Sequence, residues 1–126
     1  MSHLIVLEQK LAVCRLDPED DIPPWVQSVG FTVLTRTAEE LSILCDERWV
    51  PGNIKAEKGW RILKVQGPLD FSQVGVLATI AVPLAMAGVS IFAVSTYDTD
   101  YILVKESLLV QAVTALREDG HAVGVA

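Results

Sequence analysis

Asp70 stands just ahead of a long uncharged, helix-compatible stretch in this 126-residue chain, and that placement could hold an α-amino acid. The ammonium of such a ligand needs an anion, and its carboxylate needs N–H donors. A carboxylate side chain beside the exposed N–H groups of a helix N-terminus supplies both. Gly67, three residues earlier, would let a ligand approach the backbone closely. The same Asp70 also suits a first-turn charge that satisfies the helix end without any ligand.

Other candidates carry less chemistry. Asp98 and Asp100 form an Asp-x-Asp that could offer oxygen ligands to a divalent cation, but no third carboxylate is adjacent and turns favour Asp. A solvated turn is expected there, with no metal. His3 and His121 are far apart in sequence and have no Ser or Cys in a nucleophile context, so both are expected on the surface. Cys14 and Cys45 lie among apolar neighbours, outside any Cys-x-x-Cys pair or zinc spacing, and are expected to be buried as small hydrophobes. With no activated nucleophile, no paired acid and base and no cofactor motif, the expectation is a protein that is not an enzyme and uses no cofactor.

Charge narrows the partners. Ten Lys and Arg against sixteen Asp and Glu give a formal charge of −6, and the basic residues are scattered, which argues against nucleic acid and anionic membrane surfaces. An RNA-recognition domain would need stacking aromatics and a basic face, which this chain lacks. Apolar residues at 51% and charged residues at 21% describe a globular chain, not a disordered one. Two cysteines and no basic, apolar leader at Met1 to Leu7 lead to the expectation of a reduced, cytoplasmic setting. The 27 uncharged positions between Asp70 and Asp98 could span a membrane by length, but Pro83, Gly88, six polar side chains and acidic flanks oppose it. A buried helix followed by a strand is the better reading.

The elements that would position Asp70 are clear in the second half. Ile62, Leu63 and Val65 predict a strand ending at Gly67-Pro68, and a helix is expected from near Ser72 to Ala87, kinked at Pro83 and stopped by Gly88. Val89 to Thr96 and Tyr101 to Lys105 read as a hairpin around Tyr97 to Asp100. Leu108, Leu109, Ala112, Val113, Ala115 and Leu116 line one side of a second helix closed by Gly120, and Ala122 to Val125 is a last strand. The order βαββαβ is the ferredoxin-like α+β plan, an antiparallel sheet with helices on one face.

The first half repeats this order in reduced form. Leu34 to Thr37 and Leu41 to Leu44 sit sixty positions before the second-half hairpin, and Ile22 to Ser28 allows only a two-turn helix. Asp46 to Gly59 reads as a connector. Two halves are therefore expected, 1–58 and 59–126.

Gly67-Pro68-Leu69-Asp70-Phe71-Ser72, the run Ser95 to Val104, Trp25 after Pro23-Pro24, and Leu41 to Leu44 together carry a family likeness. The chain resembles the small bacterial proteins built of tandem ACT-like halves, and is similar to the ACT modules of aspartate kinases and cytosolic arginine sensors. The resemblance implies a regulatory module that binds an amino acid or similar small effector where modules meet. The loop after the first strand and the start of the first helix would hold it. In this sequence those residues are Gly67, Leu69, Asp70, Phe71, Ser72 and Gly75, with Thr96, Tyr97 and Asp98 from a neighbouring element. The first-half loop carries Asp17 where the second has Gly67, so one type of site per chain is expected. The uncharged helix is apolar nearly all round and needs cover on a second face, and ACT modules often pair, so a homodimer is expected. The rival reading is a protein-interaction or structural module with no small-molecule ligand.

Overall fold

The computed structural model describes every residue except Ser28 and residues 68–73. Its strands are β1 (His3–Leu16), β2 (Val33–Arg36), β3 (Leu41–Asp46), β4 (Ala56–Val65), β5 (Phe92–Ser95), β6 (Asp100–Lys105) and β7 (Ala122–Val125). The helices are α1 (Val76–Met86) and α2 (Leu109–Glu118), with short 3-10 turns at Glu47–Trp49 and Glu106–Leu108. The mixed α+β class and the ferredoxin-like order of the second half are as the sequence implied.

The chain divides into two compact units. One comprises Met1–Glu8 with Arg61–Ala126, the other Gln9–Trp60, so β1 and β4 each contribute to both. The first eight residues thus pack with the second half of the chain.

In the larger unit the strand order is β7-β1-β4-β6-β5. β7 runs parallel to β1, pairing His3 with Ala122 through Val6 with Val125, and β5 is antiparallel to β6. The start of β1 is therefore inserted between the two strands that a bare βαββαβ sheet would place side by side. Leu4, Val6, Leu63, Val65, Ile102 and Val104 from the strands meet Ile80 and Leu84 of α1 and Ala112 and Leu116 of α2 in one core. These side chains recur at two-residue spacing on the strands and four-residue spacing on the helices, the periods that put them on one face.

Both helices end in the same way. Gly88 and Gly120 have φ of +75° and +95°, the region that glycine tolerates. Beyond them Val89 N–H donates to Leu84 O at 2.9 Å and His121 N–H to Leu116 O at 3.0 Å. Each closing turn consumes carbonyls that the helix end would otherwise leave unpaired, and sends the residue after the glycine inward.

The helix start differs from the expectation. α1 begins at Val76, with Gly75 at its N-cap at φ +80° and no capping side chain. Asp70, six positions before Val76 in the sequence, lies outside the described residues.

In the smaller unit the order is β2-β3-β1-β4, with β1 and β3 antiparallel from Leu11 opposite Asp46 to Leu16 opposite Leu41. Its core holds Ala12, Cys14, Leu41, Ile43, Cys45 and Val50, flanked by Trp25, Val26 and Trp49. Two expectations fail here. Among the described residues Ile22 to Gln27 form no helix, only a turn in which Val26 N–H reaches Pro23 O at 3.1 Å. The supposed connector is half ordered structure, because β4 already starts at Ala56.

Asp46 caps the 3-10 turn, accepting from Arg48 N–H at 2.9 Å, and binds the Arg48 guanidinium at 3.0 and 2.7 Å. These bonds hold its carboxyl below the ordinary 3.8, against a smaller opposing effect of burial. A lowered folded-state value means that the contribution is complete above the ordinary value and lost as pH falls through the lowered one. Asp46→Asn should therefore flatten the acid limb of the stability profile. At neutral pH it should cost only about 1 kcal/mol or less, since Arg48 is largely exposed. Urea unfolding at stepped pH measures both.

Cys14 and Cys45 are free and buried, as expected. Burial, then the Cys14 and Asp46 neighbours, push the Cys45 thiol up to about 11. At pH 8 only about one molecule in a thousand then carries the thiolate, the reactive form. Iodoacetamide should accordingly label Cys45 only as fast as the chain unfolds, which mass spectrometry across a denaturant series would follow.

Candidate functional site

Hydrogen bonds gather four segments at one end of the larger unit. The buried Thr99 hydroxyl donates to Val65 O at 2.7 Å, tying the β5–β6 turn to the last residue of β4. One residue on, Gln66 N–H donates to His3 O at 2.8 Å. Ala122 N–H reaches Ser2 O at 3.1 Å, bringing the start of β7 to the same place. The strand ends are thus fixed where the chain leaves β4 at Gly67.

The helix is fixed to this end by a residue placed on the surface by the sequence reading. His121 is only 3% exposed, because it follows Gly120 in the inward-turning closure of α2. Ser2 N–H donates to its Nδ1 at 3.2 Å, so Nδ1 is an acceptor and carries no proton. Nε2 must then bear the hydrogen, and it lies 2.8 Å from Thr79 O. Both contacts together specify the neutral Nε2–H tautomer.

Thr79 O needs that donor for a reason written in the sequence. It is the carbonyl four residues before Pro83, whose ring nitrogen has no hydrogen to give. Pro83 removes one helical bond and His121 replaces it from outside. The first turn of α1 is thereby locked to the N-terminal segment and to the start of β7. His3, by contrast, is exposed as expected.

Of the sequence-derived candidates, Gly67 is exposed directly after the tethered Val65-Gln66 pair, and Gly75 is exposed at the head of α1. Thr96, Tyr97 and Asp98 lie in the turn closed by Thr96 N–H to Thr99 O at 2.9 Å, and all three are exposed, Tyr97 by 81%. Leu69, Asp70, Phe71 and Ser72 lie outside the described residues. The Thr99 bond thus holds the Thr96 to Asp98 turn beside the end of β4 that leads into Gly67.

Thr99 and His121 are the residues of this edge that sequence reasoning missed. A histidine straight after a helix-ending glycine occupies a position that commonly packs inward, which was the available signal for His121. Nothing comparable marked Thr99. Asp100 accepts from Ser95 Oγ at 2.6 Å, and among the described residues no group of three His, Cys, Asp or Glu could hold a metal ion. Also among the described residues, no helix is long and apolar enough to cross a membrane.

Comparison with known proteins places the chain in a family context. The family model of the ACT domain matches residues 55–118, and a second model, of an N-terminal domain, matches residues 9–53. A bovine (Bos taurus) relative, cytosolic arginine sensor for mTORC1 subunit 1, is 39% identical over 107 residues, 77% of this chain and 32% of that protein. The chain thus spans about a third of the length of that relative. A crystal structure of a protein from Agobacterium tumefaciens matches with a TM-score of 0.93 and 34% identity, covering 99% of this chain and 93% of the other. The ligand-free regulatory subunit of aspartate kinase from Thermus thermophilus shares the fold, with a TM-score of 0.61 and 10% identity over 93% of this chain and 94% of that one. With the model covering half of the residues and a relative of 34% identity matched along almost its whole length, the chain belongs to the ACT domain family.

Proposed function

We propose that this chain is a non-catalytic regulatory module that binds a small effector, most simply an amino acid, at the edge where the Gly67 to Ser72 segment meets α1. The observation that carries this reading is the tethering of that edge: Thr99, Gln66 and His121 fix both sides of the segment. The helix that follows has no side-chain cap on its N–H groups. A ligand carboxylate suits those donors and Asp70 suits the ammonium. Leu69, Phe71 and Ser72 would form the pocket wall, and Thr96, Tyr97 and Asp98 its rim. In this proposal the N-terminal half is a reduced ACT-like repeat, and the setting is cytoplasmic.

An effector acts only by favouring one arrangement over another. The second arrangement is supplied here by a second copy of the chain. α1 buries Ile80 and Leu84 but leaves Ala78, Val82 (55%) and Met86 (85%) exposed, an apolar stripe at four-residue spacing. A homodimer covering that stripe would make ligand binding and subunit packing interdependent. A monomeric mass by light scattering at micromolar concentration would contradict this part. The same stripe supports the second reading, an interaction module with no small-molecule ligand.

Calorimetry separates the two. Asp70→Ala should abolish amino-acid binding and leave the far-ultraviolet spectrum unchanged. Unaltered affinity would remove Asp70 from the site, and no heat from the unmodified protein with any amino acid would favour the interaction module.

A further inference from the structure

α1 and α2 run antiparallel, cross-linked at two points: Gln111 Nε2 donates to Ala87 O, and His121 is bonded to Thr79 O at 2.8 Å. Between the helices lies a groove of about 330 Å³ lined by Pro83, Met86, Ala87, Ala115, Glu118 and Asp119. Its α1 wall is apolar, since no charged residue occurs from Val76 to Met86, and Met86 is 85% exposed there. Its α2 wall is acidic. Glu118 is exposed, and the Asp119 side chain is 49% exposed.

Neither acid is neutralised. Among the described residues Glu118 has no ion-pair partner. Asp119 Oδ2 lies 3.9 Å from His121 Nε2, but that imidazole is the neutral tautomer and directs its hydrogen to Thr79 O. Arg117 does not line the groove, and one of its guanidinium N–H groups donates to Val123 O at 2.6 Å. The end of α1 adds charge of the same sign. Its last turn holds no basic residue, so its carbonyl end leaves a partial negative charge beside Met86 and Ala87. An apolar wall facing two unmatched carboxylates calls for an occupant that is apolar on one side and cationic on the other.

That requirement separates the candidate occupants. Nucleic acid and an anionic lipid surface would meet Glu118 and Asp119 with like charge. Helix-to-helix packing of a second copy in the groove brings no free cation, because Arg117 is the only basic residue in either helix. An extended strand finds no sheet edge to join between two helices, whereas a helix can lay its apolar face into such a groove. We infer that the groove is a docking site for a basic amphipathic helix of a partner protein. Its apolar residues lie on Pro83, Met86 and Ala115, and its Lys or Arg side chains reach Glu118 and Asp119. Met86 also ends the stripe assigned above to a second copy, so partner helix and second copy exclude one another. The docking site is independent of Asp70 and of any small effector.

The test titrates the nitrogen-15-labelled full chain with a short helical peptide of Leu, Lys and Ala that carries Leu along one face and Lys along its flank. Two control peptides separate the forces, one with Glu for every Lys and the other with Ser for every Leu. The Leu–Lys peptide should shift the amide signals of Met86, Ala87, Ala115, Glu118 and Asp119 saturably, with a dissociation constant on the order of ten micromolar. Added salt should weaken it, and the saturated complex should have the mass of one chain and one peptide by light scattering. Glu118→Lys and Met86→Ser change exposed side chains and should each weaken binding at least tenfold in a folded protein. Asp70→Ala should leave it intact, so that failure here and failure at the Asp70 edge are read separately. Absence of a saturable shift, equal binding of either control peptide, undiminished affinity in folded Glu118→Lys, or shifts centred instead on the acidic Asp17 to Asp21 stretch would overturn the inference.

Discussion

His121→Ala should lower the unfolding free energy by about 2–4 kcal/mol. Truncating the ring leaves Ser2 N–H and Thr79 O without their partners, bonded at 3.2 and 2.8 Å in the native protein. A fully buried backbone group left unpaired costs ~1–3 kcal/mol; these two are part-buried and lose less, and the volume vacated by the buried ring adds to that. The cause of the loss can be isolated. Thr79 O depends on His121 because Pro83 cannot serve it, so Pro83→Ala supplies the missing N–H from within the helix. In that background His121→Ala should cost roughly 1 kcal/mol less, a coupling that urea unfolding of the four proteins would measure. Strictly additive losses would show that the Thr79 contact contributes little.

Leu84→Ala should be as damaging, by ~2–5 kcal/mol, for a different reason. Leu84 is fully buried among strand and helix side chains of the larger unit, and its carbonyl accepts the closing bond from Val89 N–H at 2.9 Å. Only the side chain is lost in the variant, so the closure survives and the deficit reports packing alone. Met86→Ala, two residues on, removes a side chain that is 85% exposed, and should fall within about 0.5 kcal/mol of zero. Comparing the two by denaturant midpoint tests whether α1 buries one face only. A large loss at Met86 at high protein concentration, absent on dilution, would instead report the proposed dimer.

Much of this architecture was legible in the sequence because it was written in local rules. Gly88 and Gly120 mark helix ends since only a glycine accepts the required φ without strain, and both helices close on them. The hairpins follow from alternation around short polar turns, and β2–β3 and β5–β6 form where that pattern put them. Ile22 to Gln27 misled because its apolar residues suggest a helical face. In the fold Trp25 and Val26 reach the core from a turn instead. Pro23 and Pro24 withhold two donors, and so short a segment cannot repay helix nucleation. Lys55, Glu57 and Lys58 suggested a connector, yet Glu57 and Lys58 are the exposed positions of β4, whose later residues Ile62 and Leu63 are fully buried.

The site was legible in part. The Thr96 to Asp98 turn lies beside the end of β4 that leads into Gly67, while Leu69 to Ser72 fall outside the described residues. What escaped was the tethering. Thr99 and His121 act on carbonyls 34 and 42 residues away, and no local pattern announces a partner at that range. His121 also broke the expectation that an isolated histidine stays in water, because a closure motif and a proline-orphaned carbonyl together make a neutral imidazole the fitting buried group.

The most direct test of the regulatory reading is thermal unfolding of the full chain against the common amino acids, with and without Asp70→Ala. A ligand at about 100-fold its dissociation constant adds roughly 2.7 kcal/mol, which should raise the midpoint on the order of 10 °C. Such a rise is expected with one or two amino acids only, and is expected to be lost in Asp70→Ala. A rise that survives Asp70→Ala, or no rise with any amino acid, would contradict it.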